Sequence, residues 1–312
     1  MDGQIRELPV TEPVSASSRD LAALLSQVSV EISSRGHRLE ELRDNFAPGT
    51  DVTITFLPGD NYRHTIDTAS ALRRAGFHPV PHIAAREIAS REALDDFLSR
   101  ARGEADVRRV VLIAGDVAAA RGPYRSSRDV GASGLIEAHG IARVSVAGHP
   151  EGHPWLSAAD GFRGIEAWRD WGRLAKIRVD VMTQFCFESA PILQFIGELD
   201  ARGLDLPVIV GLAGPASPAT LTKFALRCGI GNSIRALRGQ IGRFGRLLAD
   251  TGPDDVMRGL RSASPVATAS IAGFHLFPFG GLRKAGQWSR DYRREALRQS
   301  EPMMPASGAQ NP

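Results

Sequence analysis

Val110-Val111-Leu112-Ile113-Ala114-Gly115-Asp116 is the clearest strand pattern in the sequence. Its five leading apolar residues, β-branched or Leu except for the last, predict a strand buried on both faces, because a strand with one wet face alternates instead. The run closes on a glycine and a carboxylate. Such a strand is expected to deliver a polar group at its carboxyl end.

The same shape recurs on either side of it. Upstream lie Val28 to Ile32, Val52 to Leu57 and Pro79 to Ile83; downstream lie Val144 to His149, Val179 to Phe187, Pro207 to Leu212 and Gly273 to Phe279. After a short helix from Asp20, helical spacing falls between the strands: Leu39 to Phe46, Thr65 to Gly76, Ser90 to Ala101, Val130 to His139, Ile165 to Leu174, Ala190 to Ala201 and Pro218 to Leu226. A longer helical insertion, Ser233 to Leu260 with a break at Gly252-Pro253, precedes the last strand, and an amphipathic helix runs from Leu282 to about Leu297. Eight strands each followed by helix, with no hairpin signal, predict parallel strands and helical crossovers, which close as a (β/α)8 TIM barrel. An open doubly wound sheet would need a G-x-G-x-x-G turn after an early strand, whereas Gly229-Ile230-Gly231 follows a helix. The expected layout is a lead-in over residues 1–19, one barrel domain over 20–300 and a disordered tail over 301–312.

With 43% hydrophobic and 23% charged residues, the 312-residue chain has the composition of a soluble globular protein with a large core. Its two cysteines, Cys186 and Cys228, lie in apolar or helical patterns and read as thiols in a reducing compartment rather than as a disulfide framework. A net charge of +3 suits an anionic small molecule, but no dense basic stretch is interleaved with aromatics, so nucleic acid is not the expected partner. Met1 to Pro13 carry Asp2, Arg6, Glu7 and Glu12 without an apolar core, and no segment reaches membrane-spanning length. A cytoplasmic protein without a membrane partner is expected, and a homo-oligomer is compatible with the sequence.

In a barrel of this kind chemistry sits at the carboxyl ends of the strands. Glu31, Thr55, His82, Asp116, His149 and Gln184 occupy those ends and together suggest a ligand pocket. Each also has a structural reading. Glu31 could pair with Arg35, Asp116 could cap the following segment, and His82 could be a satisfied core histidine. His149-Pro150-Glu151-Gly152-His153 lacks the helical H-E-x-x-H spacing of a zinc site and lies on a loop. Phe224 falls on a helical apolar stripe, and Arg235, Arg238, Arg243 and Arg246 read as a solvated face.

Glu31 after the first strand, Gly115-Asp116 after the fourth, the loop Gly148-His149-Pro150-Glu151-Gly152-His153-Pro154 after the fifth and Thr183-Gln184-Phe185-Cys186-Phe187 after the sixth together resemble the methylenetetrahydrofolate reductase family. The most specific pieces are T-Q-F-x-F and P-E-x-H-P, and the match runs from about Val28 to the last strand. The resemblance implies a (β/α)8 barrel that interconverts 5,10-methylenetetrahydrofolate and 5-methyltetrahydrofolate. NADH or NADPH is the implied donor, acting through FAD or by direct hydride transfer. It implies that Glu31 is the general acid on the folate, and that Asp116 contacts the pterin and lies against the flavin. Gln184 and Phe224 would contact the substrate; Thr55, His82, Gly115, Asp116, His149 and Arg173 would lie on the cofactor side, Arg173 in place of a phosphate-binding lysine. A non-redox folate-binding or methyltransferase-type barrel would keep the pterin contacts without needing Glu31 as an acid.

The chain departs from the family pattern mainly on the flavin side. Ser33-Ser34 stand where two prolines are usual, Ala114 where many members have arginine, and His149 where tyrosine is usual; the loop Val117 to Arg128 is basic.

Overall fold

Eight parallel strands pair in chain order and the last closes on the first: β1 (Ser29–Ser33), β2 (Asp51–Thr55), β3 (His78–Ala84), β4 (Arg109–Ile113), β5 (Arg143–Gly148), β6 (Arg178–Thr183), β7 (Val208–Ala213) and β8 (Ile271–Phe277). This (β/α)8 barrel belongs to a computed structural model that describes residues 21–35, 39–57, 59–229 and 250–300. The predicted lead-in and tail, the four arginines from Arg235 to Arg246, and most of the insertion before the last strand lie outside those residues.

The helices are α1 (Leu21–Leu24), α2 (Leu39–Asn45), α3 (Tyr62–Arg74), α4 (Arg91–Ala105), α5 (Ser127–Ala132), α6 (Leu135–Ala138), α7 (Ala158–Ala175), α8 (Ser189–Ala201), α9 (Pro218–Arg227), α10 (Asp254–Ser262) and α11 (Leu282–Ser300). Local chemistry sets several of their starts. The side chains of Asn61, Ser90, Ser157 and Ser217 accept hydrogen bonds from first-turn amides of α3, α4, α7 and α9, and Pro218 opens α9. The sequence predicts one helix over Val130 to His139; the chain makes two, α5 and α6, because Gly134 between them takes a left-handed φ of 72°.

The alternating sides of each strand explain the continuous apolar runs. Val110 and Leu112 of β4 face outward into the core shared with Leu94 and Leu98 of α4, whereas Val111 faces inward to meet Val80, Met182 and Ile209 at mid-barrel. Below that plug, at the amino ends of the strands, Arg109 bonds Asp51 at 2.7 Å and Asp180 at 3.3 Å, and Ser145 donates to Asp180 at 2.7 Å. Above it the interior turns polar again. The barrel is thus closed at one end by ion pairs, sealed in the middle by hydrocarbon, and open to chemistry at the carboxyl rim.

Gly211 of β7 shows how close that packing is. A Cβ there would sit 2.3 Å from the Thr183 carbonyl oxygen, a backbone atom that cannot swing aside. Gly211→Ala is therefore expected to cost about 1–3 kcal/mol, read as a lower urea midpoint with an unchanged slope.

Candidate active site at the carboxyl rim

Glu31 and Thr53 are register partners on β1 and β2, so both side chains enter the barrel on the same side. Glu31 stands near the rim with its side chain 20% exposed, and its Oε2 lies 3.8 Å from Nε2 of His82, whose side chain is 10% exposed. Burial lifts the Glu31 carboxyl to about 7 and lowers the His82 imidazole to about 4. Both shifts favour the uncharged form, so between those two values the contact joins a carboxylic acid to a neutral imidazole. Arg35 is turned away and binds Asp60 at 2.5 Å, which removes the structural reading that paired it with Glu31.

The remaining groups gather around this pair. Thr55 ends β2 half-buried. Beyond β4, Gly115 adopts φ 91°, and a Cβ on it would meet the Ala84 side chain at 3.3 Å; that backbone turn presents Asp116 exposed at the rim. Asp116 caps no helix, since α5 begins eleven residues further on behind the capping box of Ser126 and Asp129. Its carboxylate acts electrostatically on His153, which burial lowers and Asp116 partly restores. His149 follows β5 and lies edge-on to His153 at 4.7 Å; burial, then His153, lowers it to about 4. Gln184 follows β6, its backbone amide donating to the Gly148 carbonyl at 2.8 Å.

Phe224 is partly buried on α9 and stacks on Phe279 at 4.1 Å, against an apolar cluster that includes Phe185 and Phe187. The Thr183-to-Phe187 run therefore divides: β6 ends at Thr183, and the two phenylalanines leave the sheet to build the wall behind Phe224.

Arg173 does not join the rim. It lies in the last turn of α7, which runs antiparallel to the strands, so it sits at the amino end of the barrel, where it binds Asp205 at 3.0 Å. Four residues not singled out in the sequence do belong to the site or its floor: Thr53, Cys228, His275 and Phe279. Cys228 lies one helical turn beyond Phe224 and its thiol meets the Gln184 side chain; burial, then Glu31, lifts it to about 11. The i, i+4 spacing from Phe224 was the available signal.

Beside the ends of β4 and β5 lies a groove of about 1020 Å³, lined by Ala114, His149 and the first half of α7. Arg86, Arg128, Arg163 and Arg202 also line it. Of these, Arg86 donates to the Arg125 carbonyl at 2.9 Å, Arg163 binds Asp160, and Arg202 lies 4.8 Å from the Phe162 ring. Among the described residues no group of three or more His, Cys, Asp or Glu is placed to hold a metal, and no helix is long and apolar enough to cross a membrane.

No protein-family model matches the chain. A curated 5,10-methylenetetrahydrofolate reductase from Pectobacterium carotovorum subsp. carotovorum is 27% identical over 190 residues, which make up 60% of this chain and 60% of that protein. The matched part thus spans less than two thirds of the relative's length. Dihydropteroate synthase from Thermus thermophilus matches with a TM-score of 0.45 at 15% identity, over 86% of this chain and 95% of that one. A Clostridium thermocellum protein described as binding two copies of 5-methyl-5,6,7,8-tetrahydrofolic acid matches with a TM-score of 0.56 at 12% identity, covering 88% of this chain and 98% of that one, a likeness of fold.

Proposed function

We propose that this barrel is a methylenetetrahydrofolate reductase-like oxidoreductase, taking hydride from NADH or NADPH and interconverting 5,10-methylenetetrahydrofolate and 5-methyltetrahydrofolate. The observation that carries the reading is the buried Glu31 carboxyl, lifted to about 7 at the rim. Opening the five-membered ring of the substrate expels N10, a poor leaving group unless protonated. A carboxylic acid still protonated near neutrality supplies that proton. Asp116 accepts from the pterin N–H donors, Gln184 contacts the substrate, and Phe224 stacks on the aminobenzoate ring. The reductase relative, whose matched part is 27% identical to this chain, supports the same reading.

The residues present also suit a flavin dinucleotide. The groove is large enough and carries guanidinium groups toward which a diphosphate is attracted, while the turn at Gly115 leaves room against Ala84 for close approach. Of the cofactor-side residues His149 lines the groove; Thr55, His82, Gly115 and Asp116 would meet the ring from beyond its lining, and Arg86, Arg128 and Arg163 would hold the anionic part. When bound, FAD would relay the hydride from the nicotinamide to the folate; in a flavin-independent reductase the nicotinamide nucleotide itself would use the groove. Flavin absorbance stoichiometric with the purified protein distinguishes the first form, and a colourless active protein the second.

Mixing the protein with NADH or NADPH and methylenetetrahydrofolate tests the reading: nicotinamide absorbance should fall only when both are present. No oxidation with either nucleotide, and no reverse reaction from methyltetrahydrofolate, refutes it. Phe224→Ala should raise KM for the folate about two- to tenfold with a smaller change in kcat, the equivalent of about 0.5–1.5 kcal/mol of lost ring contact.

A further inference from the structure

The barrel interior beneath Glu31 holds polar atoms that the folate contacts leave unpaired; one of them belongs to His82, which also stands on the proposed flavin side. Nε2 of His82, Nε2 of His275 and Oγ1 of Thr53 are all buried without a hydrogen-bond partner among the described residues. They come from β3, β8 and β2, the strands around β1, which carries Glu31. Leaving such atoms unpaired costs about 1–3 kcal/mol each, so three on neighbouring strands under a reactive carboxyl call for a purpose.

The neighbours of His275 define two tautomers. Ser29 Oγ lies 2.9 Å from Nδ1 of His275 and 3.3 Å from the Phe274 carbonyl oxygen. If the single hydroxyl proton goes to the carbonyl, the hydroxyl accepts from Nδ1–H and Nε2 is an unprotonated acceptor inside the barrel; if it goes to Nδ1, Nε2 carries the ring proton.

We propose that His82 and His275 are two uncharged imidazoles of the barrel interior that act as positioning residues, holding the Glu31 carboxyl in its protonated form from beneath the rim, with His82 closing from the 3.8 Å seen here to accept its hydrogen bond. The proposal deepens the folate-reductase reading and rests on it for its role in turnover. The charges around the pair agree. Burial lowers His275 to about 3, with His82 and then Arg109 adding to it, and His82 falls to about 4. Arg109 is bound to Asp51 and Asp180. From α9, the Cys228 thiol is held up to about 11 and stays neutral. An ion pair of ionised Glu31 with imidazolium would instead place two desolvated charges in the barrel interior.

The test is nitrogen-15 spectroscopy of the histidine-labelled full chain between pH 5 and 8, with His82 and His275 assigned from His82→Gln and His275→Gln. Both rings are expected to stay neutral across that range. An imidazolium at His82 near pH 6 overturns the proposal. This readout needs no folate, so it separates failure of the pair from failure of the reductase reading. In turnover, His82→Leu should move the alkaline limb of the folate step to lower pH by about one unit, a tenfold rise in the acid's ionisation constant, and His82→Gln should restore it. A limb unmoved in His82→Leu also overturns the proposal.

Discussion

Replacing Glu31 with glutamine is expected to slow the folate step by about 10²–10⁴-fold at pH 7, the usual contribution of a positioned general acid. Binding of 5-methyltetrahydrofolate should change by no more than a few-fold, because the proposed pterin and aminobenzoate contacts are those of Asp116, Gln184 and Phe224. A non-redox folate-binding barrel would lose neither property, so titration of folate binding beside single-turnover rates separates the two. The same substitution has a thermodynamic consequence of opposite sign. The Glu31 carboxyl titrates near 7 when folded, against 4.5 for its ordinary value, so the native state holds a proton that the unfolded chain releases earlier. The stability this group contributes is fully present below the unfolded value and is lost as pH rises through the folded one. Above pH 7 the ionised, buried carboxylate therefore burdens the fold by up to about 3 kcal/mol, and Glu31→Gln should be more stable than the wild type at pH 8 in urea unfolding. An inactive but stabilised variant is the expected signature of a group kept for chemistry.

Asp180→Ala should do the reverse: keep the chemistry and weaken the fold by about 3–5 kcal/mol. Asp180 is 1% exposed at the amino end of β6 and binds Arg109, Arg143 and Ser145 at once. Removing it leaves Arg109 with Asp51 as its carboxylate partner and the Ser145 hydroxyl, and strips Arg143 of its carboxylate inside a closed barrel end. Asp180→Asn, which keeps an acceptor for Ser145 and the guanidinium groups, should lose less. The network is separated from Glu31 by the Val80, Val111, Met182 and Ile209 plug, so kcat measured per folded molecule should be unchanged. A fall in kcat with unchanged stability would contradict this division of the barrel into a stabilising end and a reactive end.

The strand order was legible because each strand is buried on both faces, so its side chains read as an apolar run whichever way they point. Strand limits were less so. Gln184 to Phe187 continue the apolar pattern of β6 although the sheet ends at Thr183, because Phe185 and Phe187 are buried in a second cluster above the rim. The rim residues were readable where a polar group terminates a run, as at Glu31, His82 and Asp116. His275 was not, since it sits inside the run Gly273 to Phe279, and a single sequence does not reveal which parity of a doubly buried strand faces the barrel axis. Arg173 came from the resemblance, as a replacement for a phosphate-binding lysine; the expected helix Ile165 to Leu174 already puts it in a last helical turn, which in a (β/α)8 barrel lies at the amino end of the strands.

A buried Glu31, protonated near neutrality, is the proposed acid of the folate step. The most direct test is the single-turnover rate of 5-methyltetrahydrofolate formation as a function of pH. The rate is expected to be level on the acid side and to fall as pH rises through about 7, where Glu31 ionises, and the Glu31→Gln variant is expected to lack that limb. A wild-type rate that stays level or rises through that value would contradict it.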